Sequence, residues 1–519
     1  MAPNPPPIFE PYTLTPFDYL PPPLHMTAFL TFILDNPARA IPVLEAAVER
    51  LIDELPFLTG NVVLSSSSPI PGRQNVREVQ PSTAAMLDQH PMLVIKHLPR
   101  KYISGPARAS PVRGRGQVIN YDEIFTEEYL PLPLDMGSAP ASPVYRFQAN
   151  ILEDGIILCG SAHHNAVDGM GQCFVLEALA TCSREVDIAN TTITATTTNL
   201  LTTLEQEKQT RDLILQVASA GPVQTLDGQS AGQTWGVAAP PDVPNHPISR
   251  KLIFSPDRIS QLKTLCSAHL PTATSAGGAQ AKDRILSRND LVLSLIWLCV
   301  MRARARLLGP AAEKHHSSLS TAIDVRAALR PPLPRTYIGN AVHTIPLHAP
   351  FPMAATVDDT YPYYPDLLDP TNPTNPTETL PGESQRAPLE TTVLTNLTQL
   401  ALLVRRGNAS VDNNYLRQHL AQVYNSPDWS VSAASRPAEF GQSSLRSIGT
   451  YRLDFGSVLG RVRDFDVPDP RFRSAAWILP ARGKDAPWEV RLVLEPEALA
   501  LVKRDPVVRW AVGGEGARL

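Results

Sequence analysis

The stretch CGSAHHNAVDGMGQ, Cys159 to Gln172, sets two adjacent histidines, His163 and His164, just ahead of the Asp168-Gly169 pair and directly after an apolar run. Upstream, Val144 to Ala149 and Ile156 to Ala162 read as two strands parted by the Glu153-Asp154-Gly155 turn. Downstream, MGQCFVLEALATCSREV is rich in helix formers, so a helix starts near Asp168, whose carboxylate suits the positive end of the helix dipole. A strand, a short loop and a helix in succession point to an α/β fold.

The chain has 12 histidines, and with average Asp and Gly usage the pattern His-x-x-x-Asp-Gly arises by chance about 0.04 times. Three readings of it compete. A metal site needs three or four His, Asp, Glu or Cys ligands, and His163, His164 and Asp168 supply only part of such a set, with no His-Glu-x-x-His helix elsewhere. A structural reading makes the histidines packed residues and Asp168 a helix cap. A catalytic reading uses one neutral imidazole as a general base, its unperturbed pKa of about 6.5 leaving it able to accept a proton at neutral pH.

At 519 residues the chain exceeds the size at which one core normally keeps growing, so two domains are expected. A net charge of -4 offers no basic field for a phosphate backbone, which excludes nucleic acid as the expected partner. Cys159, Cys173, Cys182, Cys266 and Cys299 form no Cys-x-x-Cys pair and sit in apolar stretches, as free thiols do in a reducing compartment. The start, MAPNPPPIFEPYTL, has no signal-peptide pattern, and MTAFLTFIL is too short to span a bilayer. A cytoplasmic monomer without membrane contact is expected. Ala517-Arg518-Leu519 resembles a variant of the peroxisomal Ser-Lys-Leu address, with a bare terminus the simpler reading.

Ile41, Leu44, Val48, Leu51, Ile52 and Leu55 fall at helical spacing between Pro42 and Pro56 and lead into a strand at Asn61 to Leu64. From Val223 to Pro247 the sequence turns to Gly, Ser, Pro and Asn, which marks a linker between domains at 1–222 and 248–519. The second half restarts with a strand at Ser249 to Phe254 and a helix from Pro256. Ser287 and Asp290 then form a capping box before an apolar helix whose Arg302, Arg304 and Arg306 suit its C-terminus. The Pro-, Thr- and Asn-rich run at 361–385 reads as a partly disordered surface insert.

HHNAVDG resembles the His-x-x-x-Asp-Gly motif of the BAHD family of CoA-dependent acyltransferases, and also the motif of nonribosomal peptide condensation domains. Some 290 residues downstream, YRLDFGSVLGRV resembles the second BAHD signature, Asp-Phe-Gly-Trp-Gly, with Asp454, Phe455 and Gly456 in place, the Trp absent and Gly460 two positions late. LTPFDYL, LPFLTGNVV, SRNDLVLSLIWLCVMRARAR and AIDVRAALRPPLPRTYIGNAV follow fungal members in order, so the chain is identified as a member of the fungal branch similar to trichothecene 3-O-acetyltransferase.

The resemblance implies two domains of chloramphenicol-acetyltransferase-like architecture, each a mixed sheet with flanking helices, and an active channel between them. It implies acyl-CoA, above all acetyl-CoA, as co-substrate, a hydroxylated secondary metabolite as acceptor, and no bound cofactor or metal. His164 would be the base and Asp168 a strut paired with Arg326. Asp454, Phe455 and Gly456 would shape the C-terminal domain beside the CoA channel. His163 reads better as a packed neighbour than as a ligand contact. Gly169 and Gly171 leave room beside the base, and tight-turn geometry explains Gly169 equally well. RTYIGNAV is expected to form a strand after a turn, with Asn340 near the channel. Ser443 and Ser444 are candidates for a thioester or oxyanion contact, because Leu445 stands where the family often has Trp. A condensation-type enzyme using a carrier-protein thioester, and a noncatalytic binding protein on the same fold, remain open.

Overall fold

The apolar run before His163 becomes a fully buried strand, Gly155–His163, because neighbours cover both of its faces and both of its edges. In the computed structural model, residues 8–102, 117–118, 122, 124–189, 202–221, 246–270, 285–350, 389–432 and 438–513 are described. Gly155–His163 is the middle of a five-stranded sheet ordered Asp464–Asp466, His25–Ile33, Gly155–His163, Tyr145–Ile151, Leu93–His97. The last pair is parallel and the others antiparallel, so the sheet is mixed. The turn expected at Glu153-Asp154-Gly155 sets the register, with Ile156 opposite Ile151. A smaller sheet of four short strands, which includes Asn61–Leu64, flanks it.

Helix Ile41–Glu54 turns Val43, Leu44, Ala47, Val48 and Leu51 inward and packs beside helix Gly169–Ala189, as the apolar spacing requires. In the second half, six strands form a mixed sheet ordered Ile248–Phe254, Trp488–Leu494, Ala475–Ile478, Phe440–Ser444, His316–Asp324, Val342–Pro350. Helix Arg288–Leu308 lies in its core and buries every residue from Asp290 to Ala303. Ser287 and Asp290 form the expected capping box. The arginines do more than suit the helix end. Arg302 is buried 3.3 Å from Asp505, and Arg304 donates to the Glu439 carbonyl.

The two cores share chain segments. Phe17, Leu20 and helix Leu204–Ser219, all ahead of the expected linker, pack on the second core. Phe455, Leu459, Val462 and Phe465 pack on the first. The expectation that Asp454, Phe455 and Gly456 shape the C-terminal domain is corrected here. Strand Asp464–Asp466 pairs with His25–Ile33 and draws the preceding loop over the N-terminal sheet, where Phe455 meets Phe32 edge-on at 4.9 Å. Most of the expected linker, the insert at 361–385 and the Ala517-Arg518-Leu519 end lie outside the described residues. Among the described residues no helix is long and apolar enough to cross a membrane.

Candidate active site

The strand-to-helix loop is held by its main chain first. His163 N donates to Val144 O and His164 N to Leu24 O, both at 2.9 Å, and Val167 N returns to His163 O at 3.0 Å. The helix begins at Gly169, with Asp168 Oδ1 accepting from Gly171 N at 2.7 Å. Both ring nitrogens of His163 are engaged: Nε2 donates to Gly137 O at 3.1 Å and Nδ1 accepts from Asn165 N at 3.1 Å. Its ring also stacks edge-on against His25. His163 is thus fully spent on packing.

His164 differs. Its side chain is half-buried, and its Nδ1 is enclosed without a hydrogen-bond partner. Burial lowers its pKa to about 4, against the opposite pull of Asp168, of backbone at His164 and Val167, and of the Asn340 side chain. The ring is therefore neutral across the physiological range. A neutral imidazole with Nε2 as its open nitrogen can accept a proton.

The Asp168 carboxylate is bonded to other groups. Its Oδ1 takes Arg326 Nη2 at 2.9 Å, and its Oδ2 takes Ala341 N at 2.9 Å. Arg326, buried, also reaches the carbonyls of Tyr337 and Gly339 and the carboxylate of Asp324. The stretch expected as a strand, Arg335 to Ala341, is a turn, and the strand starts only at Val342. The reason is that its amides are taken by carboxylates instead of by a neighbouring strand. Glu207 accepts from Ile338 N (2.7 Å) and Gly339 N (3.4 Å), Asp18 from Asn340 N (3.4 Å), and Asp168 from Ala341 N. Burial raises Glu207 to about 7, with Arg211 and these amides pulling the other way, and burial raises Asp18 as well.

Gly171 permits this docking. A Cβ there would lie 1.8 Å from Ile338 O, whereas one at Gly169 would meet only Leu445 Cδ2 at an ordinary 3.8 Å. Neither glycine has a positive φ, so turn geometry does not require Gly169. Gly171→Ala is expected to destabilise the fold by about 1–3 kcal/mol, because two backbone segments would have to part, while Gly169→Ala is tolerated. Thermal melts of the two variants check this.

Residues 119–351 match the family described as Transferase family, and residues 29–182 match the trichothecene 3-O-acetyltransferase-like N-terminal domain. The O-acetyltransferase cpsE of Aspergillus campestris is 30% identical over 521 residues, covering 96% of each chain. The chain belongs to the BAHD-type transferase family. It is an acyltransferase. The communesin N16 acyltransferase cnsK of Penicillium expansum is 29% identical, over 97% of this chain and 98% of that protein. The crystal structure of F. sporotrichioides TRI101 complexed with coenzyme A and T-2 superposes with a TM-score of 0.66 at 18% identity, covering 96% of this chain and 97% of that one. This BAHD-type chain therefore has the two-domain α/β fold expected from its sequence.

In this acyltransferase the loop brings His163, His164, Asp168 and Gly169 together with Arg326 and Asn340. Leu445 beside Gly169 puts the end of strand Phe440–Ser444 against the same helix start. Ser443 is half-buried there, and Ser444 Oγ donates to Asn289 Oδ1 at 2.6 Å. Asp454 and Gly456 are not brought to His164. Arg184 donates to Asp454 O and Ser183 to Phe455 O, at a part of the loop's helix 14 residues beyond its start, roughly 20 Å along its axis. Gly456 has φ +92 and Gly460 φ +71, which is why this loop needs glycine at both positions. Asp454 is half-exposed and caps the loop through Gly456 N.

Asp18, Glu207 and Arg211 were not legible as site residues. LTPFDYL carries a Thr15-Asp18 capping box, which signals a helix start and no more. LEQEKQTRDL reads as a solvated helix face, yet Glu207 and Arg211 are 1% and 2% exposed. Among the described residues no group of three or more His, Cys, Asp or Glu could hold a metal ion.

Proposed function

We propose that the enzyme transfers an acyl group, above all acetyl, from acyl-CoA to a hydroxyl of a small hydroxylated secondary metabolite, with His164 as general base. The carrying observation is the half-buried His164 imidazole, kept neutral by burial and set where the second sheet's 337–341 turn docks on the loop. Nε2 takes the hydroxyl proton as the oxygen attacks the thioester carbonyl. The tetrahedral intermediate collapses, the acyl–sulfur bond breaks, and the thiolate leaves and recovers the proton from the imidazolium. Neither an acyl-enzyme nor a metal enters these steps. Asp168 and Arg326 act as the strut that fixes the loop.

The names of relatives support the donor and acceptor class: cpsE is an O-acetyltransferase, and the TRI101 crystal holds coenzyme A with T-2. One relative, cnsK, is named for acylation at a nitrogen, so an amine acceptor is the second reading. The chain is proposed to work as a monomer in the reducing cytosol, in keeping with its five free cysteines. The domain division at 223–247 is likewise proposed.

The test is incubation with labelled acetyl-CoA and an extract of the producing organism, followed by mass spectrometry. A labelled acetyl ester, cleaved by hydroxylamine, is expected. A hydroxylamine-resistant acetyl product selects the amine reading. Product only from an acyl-carrier-protein donor, or from no donor, contradicts the proposal.

A further inference from the structure

We infer that Asn340 is the positioning residue of the base and is itself fixed by the buried Asp18–Arg211 pair, a role that rests on the reading of His164 as base. Asn340 is fully buried, and its amide nitrogen donates twice, to Asp18 Oδ1 at 2.8 Å and to the main-chain oxygen of His164 at 2.8 Å. Two acceptors on one side fix the amide's orientation, because a flipped amide would set its oxygen against a carboxylate and a carbonyl.

Asp18 is itself immobilised. Its Oδ2 accepts from Arg211 Nη1 at 3.1 Å, from Thr15 N at 2.6 Å and from Thr15 Oγ1 at 2.9 Å. Arg211 then donates to Ala166 O at 3.1 Å, inside the His163 to Asp168 loop. The bonds close a circuit: the carbonyls of His164 and Ala166 are held by Asn340 and Arg211, and those two side chains are tied through Asp18. The loop is gripped at the base and two residues beyond it by side chains tied to one carboxylate.

The circuit also bears on the ring. Asn340 Oδ1 and His164 Nδ1 are both buried without a hydrogen-bond partner, and the Asn340 side chain favours the protonated ring. With Nε2 as the base, Nδ1 keeps its hydrogen before and after the ring takes the proton, so the Asn340 amide acts on the ring as a neutral dipole. An amide does this without the large rise in basicity that a carboxylate in its place would bring.

The experiment uses the full-length chain with 15N-labelled histidine and acetyl-CoA. The parent should show one set of His164 ring resonances, assigned by their loss in His164→Ala. Asn340→Ala should broaden or double that set. It should also lower kcat about 10- to 100-fold, with KM for acetyl-CoA unchanged within about twofold. Asp18→Asn keeps an acceptor oxygen for the amide but removes the charge facing Arg211, and should move both readouts in the same direction. The double variant should turn over no more slowly than the worse single one, since both substitutions break one circuit. Unaltered His164 resonances in Asn340→Ala, or a loss carried in KM with kcat intact, would overturn the inference. The resonances need no turnover, so they report on Asn340 even if His164→Ala proves fully active and the base reading fails. If Asp18→Asn does not fold, Asn340→Ala decides alone.

Discussion

Replacing His164 with alanine is expected to slow acyl transfer about 100- to 10,000-fold and to leave the thermal transition close to that of the parent. The two halves of this result have separate causes. The rate falls because the loop's other imidazole, His163, has both of its nitrogens hydrogen-bonded and cannot take over. Stability holds because the fold uses the main chain of residue 164 and makes little use of its ring. The amide of His164 bonds Leu24 and its carbonyl takes Asn340, whatever the side chain, while Nδ1 has no partner to lose. Steady-state kinetics and a melting curve on the same preparation test both halves. Full activity would remove His164 from the mechanism.

Removing Asp168 should reverse the pattern. Asp168 and Arg326 are 0% and 2% exposed and 2.9 Å apart, so deleting one partner strands a buried charge, a change that typically costs about 3–5 kcal/mol. Asp168→Ala also frees Gly171 N and Ala341 N, the two amides by which the loop's helix and the second sheet's turn share one carboxylate. Arg326→Met should cost less than Asp168→Ala, because Asp168 keeps those two amides. Denaturant titration of both single variants and the double variant gives the coupling between them. Losses that simply add would mean that the pair is not one unit. Activity falls in these variants through displacement of His164, so it should recover in part in Asp168→Asn, which retains one acceptor oxygen.

The sequence was most legible where one local pattern determines one local structure. The apolar run ahead of His163, the Glu153-Asp154-Gly155 turn and the Ser287-Asp290 capping box each correspond to an observed element. The pairing of Asp168 with Arg326, which family resemblance implied, is present as a buried ion pair. Legibility ended where tertiary contact overrides local preference. RTYIGNAV has the residues of a strand, but carboxylates from three distant segments claim its amides and hold it as a turn. Glu207 and Arg211 lie in a charged run whose composition signals solvent, and they are buried by tertiary docking, Glu207 on Ile338 and Gly339 and Arg211 on Asp18 and Ala166. Phe455 was assigned to the wrong core because sequence order cannot show that Asp464–Asp466 returns to pair with His25–Ile33. Gly171 looked like an open space beside the base, and its actual constraint is the carbonyl of Ile338.

The central claim is that a half-buried, neutral His164 takes the proton from the acceptor. The pH dependence of kcat/KM tests it most directly. Protonation disables a base, so the rate must fall as pH drops through the pKa of the ring, and burial has moved that pKa down to about 4. At pH 5.5 the enzyme should therefore keep nearly all of the kcat/KM it shows at pH 7.5. An imidazole with the ordinary pKa of about 6.5 would have lost about tenfold by then, and a fall of that size in a protein still folded at pH 5.5 would contradict the account.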